Sequence, residues 1–370
     1  MLNTEELFLK LLRFISITPE EDGAFAFVKE YLSDFEVIEL NIEQTKNLFL
    51  YKHFGDGAHL CFAGHIDVVP PGHGWDSNPF EPVIHEGIVY ARGAQDMKSG
   101  VTAAVQALRQ TQQFDGTLSL LLTSDEEGDA KHGTIEMLKE LERRNFLPGC
   151  AIVAEPTSEK NFGDAIKIGR RGSINGVIEI AGKQGHAAYP EKTINPVHQI
   201  APRLNKLAGH QFDTGDAQFS PSQLVITDIR GGMEVTNVTP GQLKIMFNVR
   251  NSTNTTLETI RSYVQEVLEG LDFTLRLSES AKPFVTSKEA HIVSLVSNAL
   301  LHVTQKSPKL STAGGTSDAR FFGSFGIETI ECGVVNDTIH APNECCPLHE
   351  VDALVSTFRY VIENFSKEKR

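Results

Sequence analysis

Positive charge is in short supply in this chain. Its 370 residues include 34 Lys and Arg against 48 Asp and Glu, a formal net charge of −14. Bulk electrostatics therefore argue against a nucleic-acid or anionic-membrane partner, because phosphate backbones and acidic headgroups repel such a surface. Long hydrophobic runs are also missing: none approaches the ~20 residues that cross a bilayer. The opening MLNTEELFLKLLRFISIT does not read as a secretory leader, since its first charges are acidic. Leu7, Phe8, Leu11, Leu12 and Ile15 recur at helical spacing, which predicts an amphipathic surface helix. Cysteine is sparse and unpatterned. The five residues Cys61, Cys150, Cys332, Cys345 and Cys346 form no CxxC pair, so reduced thiols in a bacterial cytoplasm are expected. A GxxxxGK[ST] loop is absent, which argues against phosphoryl transfer. HEGIV (85–89) and HEVDA (349–353) begin like a zinc-protease helix but lack the second His. No internal repeat or low-complexity tract is present.

What is there is an ordinary globular composition, 40% hydrophobic, in a chain long enough for two domains. Strand-like runs at 48–54, 59–69, 117–124 and 150–156 alternate with helical patterns at 98–110 and 134–144. Buried β runs separated by amphipathic helices predict an α/β domain, with helices on both faces of its sheet. From 173 the pattern changes. A long strand, a helix (196–208), two strands, a helix (256–270) and a last strand (273–279) predict a small ferredoxin-like α+β domain. The α/β pattern resumes with a helix at 291–304 and a strand at 326–333. The expected organisation is therefore a domain of residues 1–172 and 285–370, interrupted by an inserted domain of residues 173–284.

Acidic and imidazole side chains gather where the α/β strands end. TSDEEGDA (123–130) follows an apolar run with Asp125, Glu126 and Glu127 in succession. Carboxylates taken out of water need a cation beside them. GHIDVVP offers His65 and Asp67, which in a continuing strand would share a face. Asp67 is then expected to hold the second nitrogen of His65. Asp96 precedes a helix, where a favourable dipole is the plain alternative. Glu155 ends the strand CAIVAE, and His340 lies in the loop TIHAPNE. If the chain stays extended past 124, Glu126 and Glu127 point to different sides, one towards a metal and the other towards substrate. Imidazole and carboxylate without thiolate suit catalytic zinc, with cobalt or manganese as alternatives. Five ligands are too many for one open site. They suit two Zn2+ per subunit: His65 and Glu155 on one, Glu127 and His340 on the other, with Asp96 between.

GHIDVVPPG, ARGAQDMKSG, TSDEEGDA, AEP, GRRGS, QGHAAYP, GGTSDAR and IHAPNE occur in this order across essentially the whole chain. In that respect the sequence resembles the M20 family of di-zinc peptidases and deacylases. The resemblance implies a zinc-binding catalytic domain interrupted by a smaller dimerisation or lid domain. It implies that His65, Asp96, Glu127, Glu155 and His340 are the metal ligands, that Glu126 is the general base and that Asp67 is the partner of the first His. It also implies a homodimer in which His186, in QGHAAYP, stabilises the oxyanion in the partner's active site. Gln95 stands where relatives often carry another small or polar residue and Ser99 where glycine is frequent, and neither change removes a ligand.

The resemblance implies metal-dependent hydrolysis of a linear amide, with a succinylated diamino acid as the leading substrate class and an acetylated amino acid as the alternative. An acidic protein needs local cations to hold such an anion. Lys167, Arg170, Arg171 and Arg250 are the candidates, because guanidinium grips carboxylate with two hydrogen bonds. Asn237, Thr316 and Tyr189 are the candidate neutral contacts.

Overall fold

The computed structural model describes residues 2–366 and divides into two compact units. The first comprises Met1–Gly169, Val285–Ser311 and Ser317–Arg370; the second comprises Arg170–Phe284 and Thr312–Thr316. The stretch Thr312–Thr316, expected in the first domain, thus groups with the second unit. There Ala313 O accepts a hydrogen bond from Arg170 Nη1 at 3.1 Å, and the Thr312 hydroxyl bonds the Gln218 carbonyl.

The first unit is built on an eight-stranded mixed sheet. Its order is Glu36–Ile42, Thr45–His53, Gly116–Thr123, Ala58–His65, Cys150–Val153, Glu328–Glu331, Ala165–Lys167, Lys309–Ser311. Strands Gly116–Thr123, Ala58–His65, Cys150–Val153 and Glu328–Glu331 run parallel at its centre. Every residue of Gly116–Thr123 is buried. Side chains alternate along a strand, so complete burial requires cover on both faces. Helices Lys98–Gln110 and Thr134–Arg143 both pack on this strand. The first of these is buried from Lys98 to Leu108 and packs against the helix Leu348–Asn364.

Helix Thr4–Leu12 begins in a capping box: Asn3 Oδ1 accepts the Glu6 N–H at 2.8 Å, and Glu6 Oε2 accepts the Asn3 N–H at 2.9 Å. Leu7, Phe8, Leu11 and Leu12 are buried as expected, but the helix stops at Leu12 and leaves Ile15 52% exposed. Among the described residues no helix is long and apolar enough to cross a membrane.

The second unit is a four-stranded antiparallel sheet in the order Gln223–Gly231, Gln242–Arg250, Ser173–Ala181, Phe273–Ala281. With helices Pro196–Leu207 and Leu257–Val267 this is a ferredoxin-like arrangement. Strict alternation in QLKIMFNVR puts Leu243, Ile245, Phe247 and Val249 on the buried face, against Ile260 and Val264 of the second helix. Gly176 is required here, because a Cβ at that position would sit 2.0 Å from the Phe247 ring.

Candidate metal centre

Three neighbouring parallel strands set the site. Their register pairs Ala63 with Val153 and His65 with Thr123. The chain therefore leaves the sheet along one edge at His65, just before Asp125–Glu127, and just before Glu155. The carboxyl ends of parallel strands are where open α/β sheets gather their ligands. Helix Lys98–Gln110 brings Asp96 to the same edge. It packs closely because Gly100 lies under the Ala154 carbonyl, where a Cβ would approach to 1.9 Å.

The result is two triads sharing one aspartate. His65, Asp96 and Glu155 form one, and Asp96, Glu127 and His340 form the other. Within each, the candidate ligand atoms lie within 4.8 Å of one another. His65 Nε2 is 3.2 Å from Asp96 Oδ1 and 3.9 Å from Glu155 Oε1. His340 Nε2 is 3.4 Å from Asp96 Oδ2 and 3.0 Å from Glu127 Oε1. Asp96 thus turns one oxygen to each imidazole.

The electrostatics of the cluster are those of a cation site. Loss of hydration, with the charges of Asp318, Asp96 and Glu127 and against the pull of His65, holds the Glu126 carboxyl well above its ordinary range. Burial, then repulsion from Asp96, does the same to Glu155. Burial opposes charge on His65, yet the hydrogen bond to Asp96 and the nearby carboxylates outweigh it and raise its pKa. Hydrogen bonds to Asp96 and Glu127 carry His340 up to about 10. So many carboxylates in so little space are relieved by divalent cations, and the carboxylate–imidazole donor set fits zinc or a similar ion.

Two local expectations need correction. The strand reaches only His65, so Asp67 lies beyond it and strand alternation does not align the pair. His65 Nδ1 instead lies 2.8 Å from the backbone carbonyl oxygen of Asp67, whose carboxylate is 3.7 Å away. That carboxylate accepts the backbone N–H groups of Glu126 at 3.4 Å and Glu127 at 3.1 Å. Nor does the chain stay extended after Thr123. Glu126 and Glu127 sit in a turn closed by the Ala130 N–H on Asp125 O at 3.1 Å, so the turn separates the two side chains.

The other predicted contacts fall elsewhere. Lys167 is buried in the first unit at the end of Ala165–Lys167, with Nζ 3.5 Å from Ser311 Oγ. The second unit holds Arg170, Arg171, His186, Tyr189, Asn237, Arg250 and Thr316. Arg170 is buried against Ala313. Burial, then repulsion from Arg171, lowers the Arg250 pKa. His186 and Tyr189 are exposed with ring centroids 5.8 Å apart, and Asn237 O accepts the Ala187 N–H at 2.9 Å beside them. Thr316 ends the short stretch Thr312–Thr316.

Two acids whose part in the site the motifs themselves do not disclose also shape the centre. Asp318 is buried and accepts the Thr134 hydroxyl at 2.6 Å, which links its loop to the helix following Glu127. Glu344 is buried beneath the Asp96 loop. GGTSDAR and IHAPNE contain these acids, but only the folded chain brings them to the site.

Two triads of candidate metal ligands, sharing one carboxylate, thus lie at the open edge of the α/β sheet. The chain belongs to the peptidase family M20/M25/M40, whose model matches residues 61–364. It is 61% identical over 360 residues to a succinyl-diaminopimelate desuccinylase from a Nitratiruptor species, a match covering 97% of this chain and 99% of that one. It is 57% identical over 365 residues to the protein of the same name from Nautilia profundicola, covering 99% and 100%. Among solved structures, aminopeptidase PepT from Bacillus cereus superposes with a TM-score of 0.81 at 22% identity, covering 98% of this chain and 99% of that one. The Bacillus subtilis YXEP protein, a dinuclear metal binding peptidase from the M20 family, gives 0.72 at 14%, covering 97% and 98%. These structural likenesses establish the M20 peptidase-like fold.

Proposed function

We propose that this chain hydrolyses the amide bond of N-succinyl-LL-2,6-diaminopimelate to succinate and LL-2,6-diaminopimelate, in diaminopimelate and lysine biosynthesis in a bacterial cytoplasm. The substrate follows the name carried by its 55–61% identical relatives. The observation that carries the chemistry is Asp96 lying between His65 and His340 with a glutamate, Glu126, beside the second triad.

His65, Asp96 and Glu155 would hold one divalent ion, and Asp96, Glu127 and His340 the other, zinc in the first instance with cobalt as an alternative. Bound there, the ions supply Lewis-acid polarisation of the scissile carbonyl and a water of lowered pKa. Glu126 accepts the proton of the attacking water and hands it to the departing amine nitrogen. The adjacent glutamates then have separate duties: Glu127 binds and Glu126 moves protons. Arg170, Arg171, Arg250 and Lys167 hold the substrate's carboxylates, while Asn237, Thr316 and Tyr189 supply neutral contacts.

The functional form is a homodimer in which His186 of one copy steadies the oxyanion in the other. Supporting this, Val225 and Ile229 are exposed on Gln223–Gly231, an edge strand of the second unit's sheet, and Ile194, Val197, Met233 and Val235 are exposed in the same unit. Exposed apolar surface at a sheet edge favours association.

The test is activity of the metal-stripped protein on the succinylated substrate as zinc is restored in steps, run beside the acetyl amide of the same amine. Recovery that saturates near two ions per chain and a clear preference for succinyl are expected. Preference for the acetyl amide would assign an acetylornithine deacetylase or an aminoacylase instead. No recovery with any divalent ion would defeat the proposal.

A further inference from the structure

The loop carrying Asp96 and the loop carrying His340 are tied together by groups that the hydrolytic scheme leaves unused. Glu344 has no exposed surface. Its Oε1 accepts the backbone N–H of Gln95 at 2.8 Å and of Asp96 at 3.0 Å. Its Oε2 accepts the Gly93 N–H at 3.1 Å and Arg92 Nη1 at 2.6 Å. Gly93 has φ +82°, and a Cβ there would meet Val68 at 2.7 Å, so glycine allows this turn of the loop around the carboxylate. Arg92 is itself buried and donates through Nη2 to the carbonyls of His340 and Pro71, each at 3.3 Å. Gln95 adds a second tie. Its Nε2 donates to Asp337 Oδ1 at 2.7 Å, and its Oε1 accepts the Thr338 N–H at 2.7 Å.

His65 ends one strand and Glu155 follows the end of the adjacent one, and the ladder between the two sets their spacing. His340 has no such support. It is exposed, on a loop, at φ +60°. Its separation from Asp96 depends on whatever joins the two loops, and a buried carboxylate accepting four N–H groups is a directional joint.

We propose that Glu344, with Arg92 and Gln95, is a positioning unit that fixes Asp96 relative to His340. It thereby sets the affinity of the Asp96–Glu127–His340 triad for its ion. This rests on the reading of both triads as ion sites.

The experiment is a calorimetric Zn2+ titration of the metal-free full chain, wild type against Glu344→Gln. The amide keeps the size of the side chain but turns an NH2 group towards N–H donors. One ion should bind as in wild type and the other about 10- to 100-fold more weakly, the usual effect of losing a ligand's supporting partner. The visible spectrum of the second Co2+ equivalent should change as well. Gln95→Ala leaves no buried charge unpaired and should weaken the same ion by a smaller factor; it decides the matter if Glu344→Gln does not fold. Folded variants with a lower Tm but both ions bound within twofold of wild type would make the unit merely structural and overturn the inference alone. A wild type that takes up fewer than two ions would remove the premise, and the inference with it.

Discussion

Asp67 holds Glu127 by its backbone: the aspartate carboxylate accepts the Glu127 N–H at 3.1 Å, while His65 Nδ1 rests on the Asp67 carbonyl at 2.8 Å. One residue thus orients a candidate ligand of each triad through different atoms. Replacing the side chain separates the two roles. Asp67→Asn should leave ion uptake at His65 nearly intact, because the backbone carbonyl remains. It should lower kcat by about 10- to 100-fold, since an amide cannot accept both N–H groups of the glutamate turn. Ion content and kcat of the purified variant check this. Loss of the His65-bound ion with the turn undisturbed would contradict it.

Glu126→Gln keeps the shape of the turn and removes the proposed proton acceptor. Both ions should still bind, while turnover falls by about 10²- to 10⁴-fold, the usual worth of a positioned general base. Steady-state kinetics on protein of verified metal content measure it. A variant turning over near the wild-type rate would reassign the base.

Gly100 lets a helix press against the end of a strand. A methyl group at this position would meet the Ala154 carbonyl at 1.9 Å, and backbone cannot yield as a flexible side chain can. Gly100→Ala should cost about 1–3 kcal/mol or more through overpacking. It should also weaken ion binding, because Ala154 immediately precedes Glu155. Scanning calorimetry of the metal-free chain reads the first effect and a zinc titration the second. An unchanged Tm would show that the helix can move away freely.

His59 makes stability depend on pH. Burial, aided by His53, lowers its pKa from 6.5 to about 4, and its Nε2 lies 2.7 Å from Ser119 Oγ. The folded value is below the unfolded one, so the unfolded chain takes up this proton first as the solution is acidified. The stability owed to a neutral His59 is complete above pH 6.5, declines towards pH 4 and is constant below. Denaturant unfolding at several pH values should show a smaller decline across that window for His59→Gln than for wild type. Equal declines would exclude His59 as a source.

Much of this was legible in sequence because periodicity reports burial. Helices 98–110 and 291–304 begin and end where the pattern places them. The alternation of QLKIMFNVR is the alternation of its burial. His65 and Glu155 could be placed because apolar strands announce their own ends. Ile15 was misplaced because the apolar stripe outlasts the helix, which stops at Leu12. The roles of Asp67, Glu344 and Arg92 were out of reach: each rests on backbone amides or carbonyls, which carry no residue-specific signal, and their partners can be distant in the chain. The helix Leu348–Asn364 lay within reach, since Val351, Leu354, Val355, Phe358, Val361 and Ile362 form its buried stripe. HEVDA, with its likeness to a zinc-protease helix, obscures that stripe.

The strand Glu328–Glu331 lies between Cys150–Val153 and Ala165–Lys167, although it follows the whole of Arg170–Phe284 in the chain. On a ribosome its two neighbours therefore emerge long before it does. They must wait, with their inner edges unpaired, while the intervening unit is made. The last parallel strand is then inserted into the middle of the sheet rather than added at its rim, and His340 follows it nine residues later in the chain.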